Sequence, residues 1–363
     1  MVSLTSQVNH LKQSAIGGLT LLSSLALLVA CTRPGRPHDK GQKPFVVDCL
    51  LKTTPVKNQG ASPLFWVYGM LATIETEHLM QGDSVNLSPA YVARRVMGER
   101  AQACYFGGGR QTVSMRGMAP MLISAIERFG ILPYDSYPDT KGLDMGVLGR
   151  AVAFSARSIG AAGGGLSAFN AQLTRRLNDS MGFLPLHVFM LGAEYSPVEF
   201  AHSVCLPDEY EAYTSFTHHP FNRSFVLEVP DNTERCAFMN VPLNELMRLM
   251  TRALSQGHPV CWEGDISEPG FQVGRGTAEL PSGSARPSQE LRQREFERLE
   301  TTDDHVMELI GLAHDRQGRR FFIAKNSYGE VGPFGGLMFL SADYVALKTV
   351  CIVLPRCAVD SRR

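Results

Sequence analysis

The chain has 363 residues, 44% hydrophobic and 19% charged, which is enough apolar side chain for a large core and too much for global disorder. Its 35 Lys+Arg balance 35 Asp+Glu, so it lacks the basic excess of a phosphate-dominated nucleic-acid binder. A mean hydropathy of −0.06 excludes a polytopic membrane protein.

Residues 16–30 form an apolar run with Lys12 just upstream. The run is shorter than the roughly 20 residues of a membrane span and has the length of a signal-peptide core. It closes on Leu28-Val29-Ala30-Cys31, then Thr32-Arg33-Pro34-Gly35. A small residue directly before a Cys at this place resembles the bacterial lipobox. The expectation is a lipoprotein signal peptide over 1–30, with lipidated Cys31 and a flexible tether over 31–43. That would make it an exported protein anchored to a membrane of the bacterial cell envelope. The alternative is an ordinary signal peptide ending near a Cys.

The body follows over 44–363. Helical spacing predicts a helix over 64–80, with Trp66, Met70, Thr73, Ile74 and Glu77 in phase. Asn86-Leu87-Ser88-Pro89 predicts a second helix, with Ser88 as N-cap and Pro89 in its first turn. A Gly107-Gly108-Gly109 cluster precedes a helix over 118–129 that stops at Gly130. Residues 140–220 show no clear period and carry a glycine-rich patch over 160–165. A helix over 243–256 ends at Gly257 and leads into a strand over 258–262. Residues 274–298 read as a polar surface excursion ending in a helix over 289–299. Its charge run over 292–300 reads as a solvated face. Strands are predicted over 306–313, 320–326, 337–340 and 350–354. Helices first and antiparallel strands later give an α+β protein of two subdomains.

Of eight cysteines, seven follow Cys31. None has C-x-x-C spacing, so zinc and thioredoxin-type readings have little to rest on. Cys261 and Cys351 sit in apolar strand-like runs and read as buried thiols. His218-His219 suggests a metal, but neighbouring residues of an extended chain point apart. With no carboxylate at ligand spacing, the pair reads as structural or as a groove wall. No cofactor and no metal are expected.

Three segments belong together. They are Thr54-Pro55-Val56-Lys57-Asn58-Gln59-Gly60 before Trp66, Asp304-His305 opening a strand, and Lys325-Asn326-Ser327-Tyr328-Gly329-Glu330 after another. Here the chain resembles the papain-like cysteine peptidases. Asn86-Leu87-Ser88, Gly108-Gly109 and Phe129-Gly130-Ile131 add weaker matches in the same order. Tyr213-Thr214-Ser215-Phe216-Thr217-His218-His219-Pro220-Phe221, Glu228-Val229-Pro230-Asp231-Asn232 and Glu300-Thr301-Thr302-Asp303-Asp304-His305 resemble the bleomycin hydrolase and aminopeptidase C branch. The resemblance spans residues 52–355. It implies a papain-like two-subdomain fold, with a helical left half, an antiparallel β right half and a cleft between them. The implied parent activity is thiol-dependent, aminopeptidase-like peptide hydrolysis.

Carried over by position, Gln59 is the oxyanion donor, His305 the general base and acid, and Asn326 the residue that orients the imidazole. Trp66, Gly108, Gly109 and Tyr328 line the substrate groove, and Tyr328 takes the place of a Trp that shields the His–Asn bond. The nucleophilic Cys of the family directly precedes the Trp, and that position is Phe65. Phe has no nucleophilic atom. Ser62, Cys49 and Cys104 are the nearest substitutes, and nothing in the pattern places them at the helix terminus. The expectation is a pseudopeptidase that binds a peptide or peptide-like ligand without turnover. The alternatives are a working hydrolase with another nucleophile and a partner-binding surface lipoprotein. The sequence leaves the oligomeric state open.

Overall fold

The structure is a computed structural model that describes residues 44–190 and 192–359. The expected signal peptide, Cys31 and the tether lie outside the described residues. The chain enters on β1 (Phe45–Leu50) and then crosses the molecule to α1 (Phe65–Met80). This helix is buried on almost every side of its first three turns. Ser88 accepts from Tyr91 N and starts α2 (Pro89–Phe106) as its N-cap. Next comes α3 (Pro120–Phe129), which ends at Gly130 with φ +76°.

The 140–220 segment is more regular than its sequence announces. Asp144 Oδ1 accepts from Gly146 N and Val147 N and starts α4 (Met145–Ala161). The glycine patch is the turn into α5 (Leu166–Met181). The hairpin β2 (Val188–Met190) and β3 (Ala193–Tyr195) follows, then α6 (Pro197–His202), capped reciprocally by Ser196 and Glu199. These elements, with α1 to α3, share the first hydrophobic cluster.

The remaining elements are β4 (Tyr210–Thr214), β5 (Arg223–Val226), β6 (Ala237–Asn240), α7 (Leu243–Ser255), β7 (Val260–Gly264), β8 (Phe271–Gln272), β9 (Thr277–Ala278), α8 (Gln289–Glu297), β10 (His305–Asp315), β11 (Arg320–Lys325), β12 (Leu337–Ser341), α9 (Ala342–Lys348) and β13 (Thr349–Pro355). One eleven-stranded sheet runs β5-β6-β4-β13-β7-β10-β11-β12-β9-β8, with β1 on β10. Strand β10 organises it. Its first half pairs with β7, and its second half takes β1 in the space that β7 leaves. β13 is buried along its whole length, as a strand covered on both faces should be. The second hydrophobic cluster fills this half. The α+β architecture, helices first and sheet later, is as expected from the sequence, apart from the leading strand β1.

The excursion over 274–298 is tied in more closely than expected. Its β9 adds in parallel to β12. The charge run is not a solvated face at its start: Arg292 is 0% exposed. Its guanidinium lies over the Phe216 ring and donates to the carbonyls of Ser215, Ala346 and Leu347. A helix facing buried backbone carbonyls can place a long cation there, which hydropathy alone cannot reveal.

No helix among the described residues is long and apolar enough to cross a membrane.

Candidate active site

The loop before α1 is laced to the loop after β11. Gln59 N donates to Ser327 O at 2.8 Å, and Gly329 N donates to Lys57 O at 3.0 Å. Gly60 has φ +60° and Gly329 φ +77°, so both turns use the left-handed region that glycine tolerates. The Gln59 amide is gripped at both ends. Ser327 Oγ donates to its Oε1 at 2.5 Å, and its Nε2 donates to Ser62 O at 2.9 Å. One of the two amide hydrogens of the expected oxyanion donor is therefore engaged with the protein's own backbone.

His305 opens β10 and Asn326 follows β11, its antiparallel neighbour, which brings the two side chains together. His305 Nε2 lies 2.8 Å from Asn326 Oδ1. Ser327 N donates to the same oxygen at 2.7 Å and fixes the amide orientation. The imidazole proton therefore sits on Nε2, and Nδ1 holds the lone pair. Tyr328 stacks on the imidazole, centroids 5.0 Å apart. On the other side stands Phe65, the first residue of α1, its ring centroid 6.0 Å from that of His305. His305 is 1% exposed and Phe65 4%. Burial drives the His305 pKa down to about 4, against the hydrogen bond to Asn326. The rings packed on either side, Phe65 and Tyr328, carry no charge to hold the imidazolium.

A third segment closes over the pair. Trp66 Nε1 donates to Met115 O at 3.0 Å, and a Cβ on Gly117 would stand 2.9 Å from the Trp66 ring. Arg116 lies between them, its guanidinium 5.1 Å from the Phe65 centroid. It reaches the sheet half, where Nε donates to Asp231 Oδ2 at 2.7 Å and Nη2 to Asp303 O at 3.0 Å. Burial, with Asp231 nearby, pushes Asp303 up to about 6, and burial does the same to Asp304. Arg116 thus spans the two halves directly above Phe65.

The sequence reading missed Arg116 and gave this place to Gly108 and Gly109. The structure puts those glycines in the turn that ends α2. Gly109 N donates to Cys104 O there, and a Cβ on Gly109 would meet Arg157 of α4 at 2.1 Å. The available signal was Arg116-Gly117 just ahead of α3, less conspicuous than three glycines in a row.

The substitute nucleophiles are all engaged elsewhere. Ser62 Oγ donates to Leu143 O and accepts from Met145 N. Cys104 Sγ points at Gln111 O, and Cys49 Sγ at Leu254 O. A pocket of 710 Å³ lies beside Gln59, lined also by Ser62, Tyr68, Tyr134, Asp139 and Met145 but not by Phe65 or His305.

The expectation that His218-His219 has no carboxylate is overturned. Chain reversal through β5 brings Glu228 to both rings, at 3.2 and 2.7 Å. The donor arrangement does not suit a cation, however. The Gln293 amide is fixed by Thr217 N and donates to His218 Nδ1, so the proton of that neutral ring must sit on the Nε2 that faces Glu228.

No protein-family model matches the chain, and no curated protein sequence matches it. Solved structures do. The crystal structure of PepW from Lactobacillus rhamnosis HN001 superposes with a TM-score of 0.67 at 18% identity, covering 87% of this chain and 83% of that one. Digestive procathepsin L 3 of Tenebrio molitor larval midgut gives 0.40 at 14% identity over 89% and 73% of the two chains. The bromelain protease of Ananas comosus gives 0.41 at 14% over 83% and 92%. At these identities the likeness concerns the fold, and the PepW superposition carries it here. The chain has the α+β, papain-like cysteine peptidase fold.

Proposed function

We propose that the protein is a pseudopeptidase of the aminopeptidase C and bleomycin hydrolase type, held at the bacterial envelope by a lipid on Cys31, that takes a peptide or peptide-like ligand without hydrolysing it. One observation carries the reading: Phe65, buried beside His305, stands at the helix terminus where a nucleophile would act. In a serine protease, loss of the nucleophile costs on the order of 10⁶ in turnover, and roughly 10³–10⁴ over water survives from binding and the oxyanion hole. Even that residue is weakened here by the engaged Gln59 amide and by Arg116 across the cleft. The pocket beside Gln59, largely apolar with a few polar groups, supports retained binding.

The test is turnover of a panel of fluorogenic aminoacyl and peptidyl substrates by the protein and by Phe65→Cys, with folding followed by circular dichroism. The expected result is silence from the wild type and a weak, thiol-dependent gain in Phe65→Cys. Wild-type turnover that His305→Ala abolishes would overturn the reading. The lipid is tested separately: Cys31→Ala should release the protein from the membrane fraction, and continued membrane retention would refute the anchor.

A second reading, a partner-binding protein whose cleft is idle, is favoured by the closed centre together with an apolar patch. Phe183 is 84% exposed, Leu186 73% and Phe189 77%. Phe183→Ser/Phe189→Ser should then lower self-association in sedimentation velocity, and no change would remove self-association as the use of this patch.

A further inference from the structure

We propose that Glu77, His258 and Cys357 form a binding site for a zinc-class divalent metal ion, distinct from the closed catalytic-type centre. The three residues are far apart in sequence. Glu77 lies near the end of α1, His258 in the turn between α7 and β7, and Cys357 in the single helical turn after β13. The fold brings one ligand atom from each to within 4.8 Å of the others. His258 Nδ1 stands 3.0 and 3.1 Å from the two Glu77 oxygens, and Cys357 Sγ stands 3.9 Å from the same nitrogen.

That convergence on one nitrogen is the informative feature. A Cys–His–carboxylate relay needs the thiol on one imidazole nitrogen and the carboxylate on the other. Here both face Nδ1, so a relay is excluded. A proton on Nδ1 bonds the carboxylate and does nothing for the sulfur. An ion at the shared point engages all three donors. Zinc bond lengths in a tetrahedron put N and O about 3.4 Å apart and N and S about 3.6 Å apart. The observed separations lie within a few tenths of an ångström of these values on either side.

The donor set selects the ion class. A thiolate and an imidazole suit zinc or its borderline neighbours and not calcium or magnesium, which take oxygen. The surroundings also fit. Glu77 is buried, and Gln81 Nε2 donates to its Oε1 at 2.9 Å, which orients the carboxylate and leaves Oε2 for the ion. His258 is partly exposed and Cys357 exposed, so the ion has an entry path and water completes the fourth position. On binding, the Cys357 thiol loses its proton to solvent. The neutral His258 ring keeps its own on Nε2, so Nδ1 presents the lone pair. The ion would staple the C-terminal turn to α1 and to the start of β7.

The test is cobalt(II) titration of the full chain, read by the thiolate-to-metal charge-transfer band in the near ultraviolet. Mass-spectrometric labelling of Cys357 with iodoacetamide, with and without zinc, gives a second readout. A saturable band at one equivalent is expected. It should be absent in Cys357→Ser and at least about tenfold weaker in affinity in Glu77→Gln, and zinc should slow Cys357 labelling by a similar factor. Both substitutions are conservative, and circular dichroism confirms that the variants fold. No band at stoichiometric metal, a band that persists in Cys357→Ser, or labelling that zinc leaves unchanged would each overturn the proposal.

Discussion

Burial holds His305 at about 4, so the imidazole is neutral across the physiological range. Its Nδ1 lone pair has the Phe65 ring beside it and, among the described residues, no donor to take a proton from. The sign of the pH dependence follows. Between the ordinary 6.5 and about 4 the unfolded chain binds a proton that the folded chain does not. The His305 contribution to stability is therefore full above pH 6.5, falls as the pH drops towards 4 and is flat below. Asp303 and Asp304 act in the opposite direction. Raised from 3.8 to about 6, they take up protons in the folded state first and favour it as the pH falls through that window. A melting curve would mix these contributions. Imidazole NMR separates them: the His305 ring should titrate with a midpoint near 4, and a midpoint near 6.5 would contradict the sealed geometry.

At the scale of elements, the cleft is governed by a stretch with no regular structure. Met115–Gly117 reaches its place because Gly117 lets the backbone approach the face of Trp66, and Arg116 then ties the helical half to Asp231 and to the carbonyl before Asp304. If this bridge helps close the centre, Phe65→Cys/Arg116→Ala should turn over the best fluorogenic substrate several-fold faster than Phe65→Cys alone. Equal rates would mean that Arg116 only stabilises the junction. In α8 the comparable residue is Arg292. Arg292→Met keeps the apolar stem and strips donors from the Ser215, Ala346 and Leu347 carbonyls. The expected loss is about 3 kcal/mol in urea unfolding, against under 0.5 for a surface arginine.

On the scale of the whole molecule, the two halves meet where α1 lies on β10. A Cβ on Gly69 would stand 2.4 Å from Val306 Cγ1, so the helix rests directly on the strand that His305 opens. Gly69→Ala should cost about 1–3 kcal/mol by overpacking and raise the hydrogen-exchange rate at both elements. An unchanged urea midpoint would show that the contact is slack.

The sequence by itself determined the chemistry available at the centre. Gln59, His305 and Asn326 stand in motif positions whose order along the chain is readable, and Phe65 is visible as the residue that breaks the pattern. It also determined several helix ends, because Ser88 and Gly130 act on their own neighbours through local capping and positive φ. Only the tertiary structure decided which groups meet across the chain. Arg116 closes over Phe65, Glu228 joins two histidines, Arg292 sinks beneath α8, and Cys357 faces His258 and Glu77. Those pairings span from 9 residues to 181 and more along the chain. They are set by how strands and helices stack around the two hydrophobic cores, and side-chain identity and local spacing carry no record of that stacking.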